Sequence, residues 1–372
     1  MCRHRGTHGH GGRSVSVVLQ YGFALVAILG AAVLFTNAVE ILGGRLELGQ
    51  GAVGSVLAAV GTALPETMIP IVAIVTAALS GEGGEAAGEI GIGAILGAPF
   101  LLATLAIFVT GAAAFVYQGR REQGMEIRCR EASVGDEFPW CKTPGKDVVV
   151  DRKSIARDVG FFLMFFALAT GVGIVELPPI ARIGLAALLF AAYAFYVRRP
   201  LPAGGALEEV PERLTLWRFR SPAPTWAVVA QALLALALIV VGAEVFVEAV
   251  GHTAGTIGLP AGLVALVLAP LATELPEKIN SVLWVREGKD TLALGNITGA
   301  MVFQSTVPVT FGVLLTPWEL GPLNLFSAAL ALLSGGYVYL MLRRDAALHS
   351  WHLMVGGVFY LAFLVAAVIA VV

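Results

Sequence analysis

Charge is what this chain has least of. Asp, Glu, Lys and Arg make up 13% of its 372 residues, about half the share of an ordinary soluble domain. That shortage excludes a soluble enzyme and a disordered chain. The near balance of 24 basic against 26 acidic residues excludes a nucleic-acid binder of the usual basic type. Cysteine is scarce as well: Cys2, Cys129 and Cys141 are too few and too scattered for a disulfide framework. No His-Glu-x-x-His motif, paired-aspartate motif or Gly-x-Ser-x-Gly elbow lies in an apolar run, so an intramembrane enzyme is not expected. What is plentiful is apolar. Hydrophobic residues reach 57%, the mean hydropathy is +0.82, and 44 glycines are tolerated where helices approach closely in lipid. The class is a polytopic integral membrane protein whose first partner is the bilayer.

A spanning helix needs roughly 20 mostly apolar residues. Ten segments meet or approach that length, at about 16–40, 52–79, 88–117, 157–175, 178–197, 225–250, 257–284, 291–315, 322–342 and 351–372. They are too long, and too little alternating, for barrel strands. The first is too long for a signal peptide and lacks a small-x-small cleavage site before Glu40. Basic residues set the orientation. The side holding the N-terminus has Arg3, Arg5, Arg13 and Arg182, the other side has nineteen, and Lys278 lies inside a span. The basic side is predicted to be cytoplasmic, with both termini extracytoplasmic, in a plasma membrane of prokaryotic type. Trp217, Trp226, Trp284, Trp318 and Trp351 fall near span ends, as an aromatic belt would place them. His4, His8 and His10 are read as a polar tail, with metal binding the alternative. Cys129 and Cys141 are read as reduced loop cysteines, with a metal or redox role the alternative.

The chain repeats itself. Gly61-Thr62-Ala63-Leu64-Pro65-Glu66-Thr67 in span two matches Ala272-Thr273-Glu274-Leu275-Pro276-Glu277-Lys278 in span seven. Gly93-Ala94-Ile95-Leu96-Gly97-Ala98 in span three matches Gly295-Asn296-Ile297-Thr298-Gly299-Ala300 in span eight. Five spans separate equivalent positions, and an odd number reverses direction. The expected fold is all-α, about ten transmembrane helices as two inverted five-helix repeats, with substrate sites near the midplane. The regions are a 1–15 tail, a first repeat core at 16–118 and a cytoplasmic loop at 119–156 that forms a small β hairpin or strand pair. Spans four and five follow at 157–197, then a cytoplasmic linker at 198–224, a second core at 225–315 and spans nine and ten at 316–372.

Glu66 and Glu277 sit deep in apolar spans, where a carboxylate requires a cavity, a cation or a proton. Two such acids from equivalent positions repel unless a positive charge lies between them, and hard oxygen ligands suit calcium, sodium or a related cation. Pro65 and Pro276 cannot donate to the carbonyls of Gly61 and Ala272, and an unwound segment would offer those oxygens to a cavity. Thr62 and Thr273 precede their glutamates by one helical turn and share a face with them. The alternative is a proline kink with a protonated structural glutamate. Glu274 and Lys278, spaced i, i+4, either pair with each other or bear on the cation site, Glu274 as a ligand and Lys278 as a tuning or surrogate cation. Glu244 and Glu248 on span six, and Asn37 and Glu40 on span one, are read as interfacial or supporting groups. Glu82, Glu85 and Glu89 are read as a solubilising outer loop. The Gly93/Gly97 and Gly295/Gly299 spacings are explained by close helix packing.

Gly242-Ala243-Glu244-Val245-Phe246-Val247-Glu248, Ala272-Thr273-Glu274-Leu275-Pro276-Glu277 and Gly295-Asn296-Ile297-Thr298-Gly299-Ala300 together resemble the calcium/cation antiporter superfamily, the sodium/calcium exchanger-like membrane proteins. The resemblance covers nearly the whole chain. It implies exchange of a cation by alternating access, with Glu66 and Glu277 as central ligands and Thr62 and Thr273 beside them. The family's motif serine is Ala63 in the first copy and Glu274 in the second. Of its Gly-Asn-x-x-Gly-Ser-Asn-x-x-Asn motif, the first copy keeps Ala94, Ala98, Pro99 and Leu102 at the polar positions, and the second keeps Asn296, Ala300, Met301 and Gln304.

These residues point to a secondary-active cation antiporter without a resident cofactor, its cargo calcium and sodium, or a proton. The expected ligands are Glu66, Glu277, Thr62, Thr273, the carbonyls of Gly61 and Ala272, and Glu274, Asn296 and Gln304 from the second copy. The alternatives are a proton-coupled exchanger of calcium or another divalent cation, and a non-transporting membrane scaffold or sensor on the same fold. No nucleic-acid partner is expected, and the oligomeric state is open.

Overall fold

The structure, a computed structural model, describes residues 10–45, 58–80, 85–120, 147–175, 177–198, 213–217, 222–344 and 348–370. The side chains at 10–16, 43–44, 58–65, 80 and 275–277 fall outside the description. Among the described residues, ten helical segments carry the chain. They are α1 (His10–Arg45), α2 (Ala58–Ser80), α3 (Glu85–Val116), α4 (Arg152–Val172), α5 (Pro179–Arg198), α6 (Thr225–Ile257), α7 (Ala261–Arg286), α8 (Asp290–Leu315), α9 (Pro322–Arg344) and α10 (Ser350–Ile369). Among the described residues, eight are long and apolar enough to cross a membrane, and α2 and α7 carry the shorter apolar stretches Glu66–Leu79 and Ala261–Glu274. The predicted spans and these helices coincide to within a few residues at most ends.

Several ends differ for local reasons. α1 begins at His10, inside the predicted tail. α6 runs on to Ile257 and stops where Gly258 turns left-handed at φ 73°. Gly288, at φ 70°, makes the tight connection from α7 to α8. α4 starts at Arg152 because the Asp151 carboxylate caps it, accepting from the amides of Lys153 and Ser154 at 3.1 and 3.4 Å. A two-residue strand β1 (Asp147–Val148) pairs antiparallel with β2 (Leu348–His349), beyond the far end of α9. The described end of the long loop thus pairs with a distant segment, and a hairpin within 121–146 lies outside the described residues, as do Cys129 and Cys141.

The chain divides into two compact units, one of residues 1–91 and 206–264 and one of 92–205 and 265–372. In the first, α1 and α6 run antiparallel and touch along much of their length. Tyr21 and Thr253 share a hydrogen bond of 2.9 Å at one end, and Arg45 donates to Thr225 Oγ1 at 3.1 Å and to the Ala223 carbonyl at the other. The contact is made by small residues: a Cβ on Gly242 would fall 2.8 Å from Ile28 and 3.2 Å from the Ala24 carbonyl. Asn37 and Gln231 tie down the connecting segment. Asn37 Nδ2 donates to the Arg213 carbonyl, Asn37 Oδ1 accepts from the Thr215 amide and Gln231 Nε2, and Gln231 Oε1 accepts from the Leu216 amide.

The second unit has two recognisable ends. At one, the starts of α4 and α8 and the end of α9 meet: the Val149 amide donates to Asp290 Oδ2 at 2.9 Å, and Arg152 donates to the Met341 carbonyl at 3.3 Å. At the other, Arg182 donates to the Thr316 carbonyl and the Leu320 amide to the Gly173 carbonyl. Trp318 departs from the belt reading. It is buried, sits at φ 55°, and donates its indole N–H to the Ala169 carbonyl at 2.9 Å, so it locks the α8–α9 turn against α4. Trp226 and Trp351 are largely exposed, as belt residues are. Wide apolar strips on α5 and α6, Ile180, Phe190 and Leu233 among them, are also exposed, and in a membrane they face lipid.

Gly97 bears out the packing reading for the first copy. A Cβ there would lie 2.2 Å from the Leu266 carbonyl oxygen and 2.8 Å from Pro270, so the first-copy motif presses directly on the α7 backbone. Gly299 meets nothing nearer than the Tyr196 hydroxyl at 4.0 Å among the described residues. Gly97→Ala is expected to lower the thermal unfolding midpoint in detergent by the equivalent of about 1–3 kcal/mol, since backbone cannot give way like a side chain. Gly184→Ala, at an exposed helical position with open space around it, is expected to leave it unchanged or raise it. Equal midpoints for Gly97→Ala and the native chain would show that this contact is not tight.

Candidate cation site

The second-copy motif lies on α7 and forms a buried polar stripe. Thr273 is buried and donates to the Ala269 carbonyl at 3.1 Å, leaving its oxygen lone pairs to accept or coordinate. Glu274 is wholly buried, and Lys278 Nζ stands 2.9 Å from its Oε2. The two were expected either to pair or to serve the cation site, and pairing is what the geometry shows. Neither Glu274 oxygen has a well-angled hydrogen bond among the described residues, so the contact is held by charge. Ser281, one turn beyond Lys278, is also buried and extends the stripe. Ala272 is half-buried, and the Glu277 side chain lies outside the description.

The first-copy motif lies on α2, in the other unit. Glu66 is half-buried, with Oε1 sheltered; the side chains of Thr62 and Pro65, and the α-carbon substituents around Gly61, lie outside the description. α2 contains no basic residue at all. Both helices are continuous through Pro65 and Pro276, so the predicted unwinding is not seen. A proline still lacks the N–H that would bond the carbonyl four residues earlier, so the Gly61 and Ala272 oxygens lose that donor without any break in the helix. Among the described residues no three His, Cys, Asp or Glu side chains converge as a metal cluster.

The second motif of each copy lies on α3 and α8. Asn296 is half-buried and Gln304 buried. Just beyond the motif both helices lose regularity. α3 widens into a π segment at Leu102–Ala106, and α8 is interrupted between Gln304 and Val307. The register that aligns Gly97 with Gly299 also aligns Thr104 with Thr306. Each is buried and donates to the carbonyl one turn back: Thr104 to Phe100 at 2.5 Å, Thr306 to Val302 at 2.7 Å. Such distortions free backbone groups and recur at functional positions. These threonines were missed because nothing in their immediate sequence breaks a helix except Pro308. Comparing the two copies position by position would have found them.

A second buried acid was missed as well. Asp158 on α4 is 4% exposed. Arg157 Nε and Nη2 donate to its Oδ1 at 3.1 and 2.9 Å, and Thr298 of the second-copy motif donates to its Oδ2 at 3.2 Å. Arg157 also lies over the Tyr196 ring, 5.6 Å from its centre. Asp158 thereby fixes the rotation of α8, the helix that carries Asn296 and Gln304. It lies at the start of predicted span four, and nothing in its immediate sequence points to the distant Thr298 hydroxyl that meets it. Glu244 and Glu248 are exposed on α6, consistent with the interfacial reading.

Lys278→Met would strand a buried carboxylate. It is expected to cost about 3–5 kcal/mol of stability, as breaking one side of a buried pair does. Glu274→Gln with Lys278→Met should recover most of that. Thermal unfolding of the purified variants checks it, and an unchanged midpoint in Lys278→Met would exclude a structural pair.

The profile of the family described as sodium/calcium exchanger protein matches residues 16–199 and 227–372. The sodium/calcium exchanger MaX1 of Methanosarcina acetivorans is 28% identical over 134 residues, a match spanning 36% of this chain and 38% of that protein's length. The structure of the H+/Ca2+ exchanger CAX superposes with a TM-score of 0.61 at 18% identity, covering 96% of this chain and 82% of that one. The sodium-calcium exchanger NCX_Mj gives 0.52 at 18% identity over 94% and 98%. The fold is thus one that solved exchangers share. With a family match over both five-helix repeats, interrupted only at the linker between them, the chain belongs to the sodium/calcium exchanger protein family.

Proposed function

We propose that the protein is a secondary-active antiporter that exchanges calcium for sodium across a prokaryotic-type plasma membrane, with both termini outside. Alternating access occurs around the carboxylates Glu66 and Glu277. Thr62, Thr273, the carbonyls of Gly61 and Ala272, Asn296 and Gln304 complete the oxygen set. Glu274, paired to Lys278, tunes the charge there. No bond is made or broken in the cargo; binding one ion in an outward state and another in an inward state suffices.

The observation that carries this reading is the duplicated intramembrane glutamate in a family defined by exchange. Glu66 stands on a helix with no basic residue, so any charge on it in hydrocarbon has to be met from elsewhere, by a cation, a proton or another element.

One observation favours a proton as the coupling ion. The first copy holds Ala94, Ala98, Pro99 and Leu102 where the resembled family has polar groups, and the second copy already carries a fixed ammonium at Lys278. Fewer neutral oxygens and one built-in cation leave less for a sodium ion to bind and favour protonation of a carboxylate in its place.

Radiotracer calcium uptake into proteoliposomes tests both. Uptake driven by an outward sodium gradient supports sodium exchange; uptake driven only by a pH gradient supports the proton form; no uptake under either supports the scaffold. Glu277→Gln and Glu66→Gln are each expected to reduce flux to background in protein that still elutes as the native species. Full flux in either variant removes that residue from the ligand set.

A further inference from the structure

The basic end of the second unit contains a cavity of about 520 Å³ between α4 and α9. Four cations line its mouth: Arg152, Lys153 and Arg157 from α4, and Arg343 from α9. Among the described residues, no carboxylate lines it. Asp158 neutralises Arg157 from behind, and Asp151 is turned to the α4 amides. Arg152, Lys153 and Arg343 make no ion pair among the described residues. Arg152 donates one Nη2 bond to the Met341 carbonyl, while its buried Nε has no hydrogen-bond partner among the described residues. Arg343 lies over the Tyr339 ring and donates to its hydroxyl at 2.8 Å, which holds the guanidinium at the rim.

Deeper along α4 the lining changes character. Gly160 leaves the floor open, with Tyr339 the nearest side chain to a Cβ there at 3.5 Å, and Phe161 and Met164 form an apolar wall. Met164 is 56% exposed on a helix that crosses the membrane. The cavity is therefore cationic where the helices end and apolar where they enter hydrocarbon. A free anion would use only the first part. A phospholipid uses both, its phosphate at the arginines and its acyl chain along Phe161 and Met164.

We propose that this cavity binds the phosphate of an anionic membrane phospholipid. Arg157 stands in it and also grips Asp158, which holds Thr298 of the second-copy motif, so the bound headgroup touches the chain of contacts that orients α8. The site is independent of which ion is transported.

The test is native mass spectrometry of the full chain in detergent, titrated with phosphatidylglycerol, phosphatidylcholine or inorganic phosphate. Phosphatidylglycerol should bind in preference to phosphatidylcholine, and less tightly as salt is raised. Lys153→Gln with Arg343→Gln, both exposed positions, should weaken it by about thirtyfold, as expected for two interfacial charges. Lys289→Gln, a basic residue elsewhere, should not. Gly160→Leu should weaken lipid binding with every charge in place. Equal binding of the two lipids, full binding by the double variant, or unchanged binding by Gly160→Leu overturns the proposal. A phosphate-only site, with inorganic phosphate displacing phosphatidylglycerol at equal concentration, overturns the lipid assignment.

Discussion

A carboxylate inside a membrane has to be met by positive charge, and this requirement organises the interior. The chain meets it in two visible ways. Glu274 takes a lysine from one turn along its own helix, and Asp158 takes the arginine beside it and a hydroxyl from the next helix. Both are local solutions that leave a closed, neutral unit. A neutral pair of this sort contributes little net stability compared with apolar packing, but losing either half is costly. Such pairs therefore specify an arrangement more than they strengthen it. Glu66 stands on a helix without a single basic residue, so a lysine one turn along, the solution Glu274 uses, is not open to it.

Much of this was legible beforehand. Ten spans followed from the length of apolar runs, because the bilayer imposes one period on every segment. The Glu274–Lys278 pair followed from i, i+4 spacing, which fixes proximity on a helix whatever surrounds it. Other features depended on contacts between distant segments. Trp318 looked interfacial because it lies at a span end, yet its indole reaches the Ala169 carbonyl on α4. The 119–156 loop is read as a small hairpin or a strand pair; its described end does pair, but the partner of Val148 is Leu348, two hundred residues away in sequence and beyond any local pattern. Asp158 drew no reading because its partner Thr298 comes from the other repeat.

The two copies have diverged unevenly. The first has Ala94 and Leu102 where the second has Asn296 and Gln304, and both have alanine at Ala98 and Ala300. The backbone irregularity beyond the motif survives in both, with an equivalent threonine bonded one turn back in each. A distorted helix exposes carbonyl oxygen regardless of which side chain follows, so the copies preserve main-chain geometry where they have not preserved chemistry. The packing glycine shows the same asymmetry in reverse: Gly97 is pressed against the α7 carbonyl, whereas Gly299 has room around it among the described residues.

The bonds joining α1 to α6 set a mechanical limit. Tyr21 meets Thr253 near one end, Asn37 meets Gln231 further along, and Arg45 meets Thr225 at the other. Sliding one rod along its neighbour by a single turn, about 5.4 Å, would sever all three latches together and drag Gly242 out of its seat on Ile28. The two rods are splinted. Whatever stroke this half of the molecule performs, it performs with the pair as one lever.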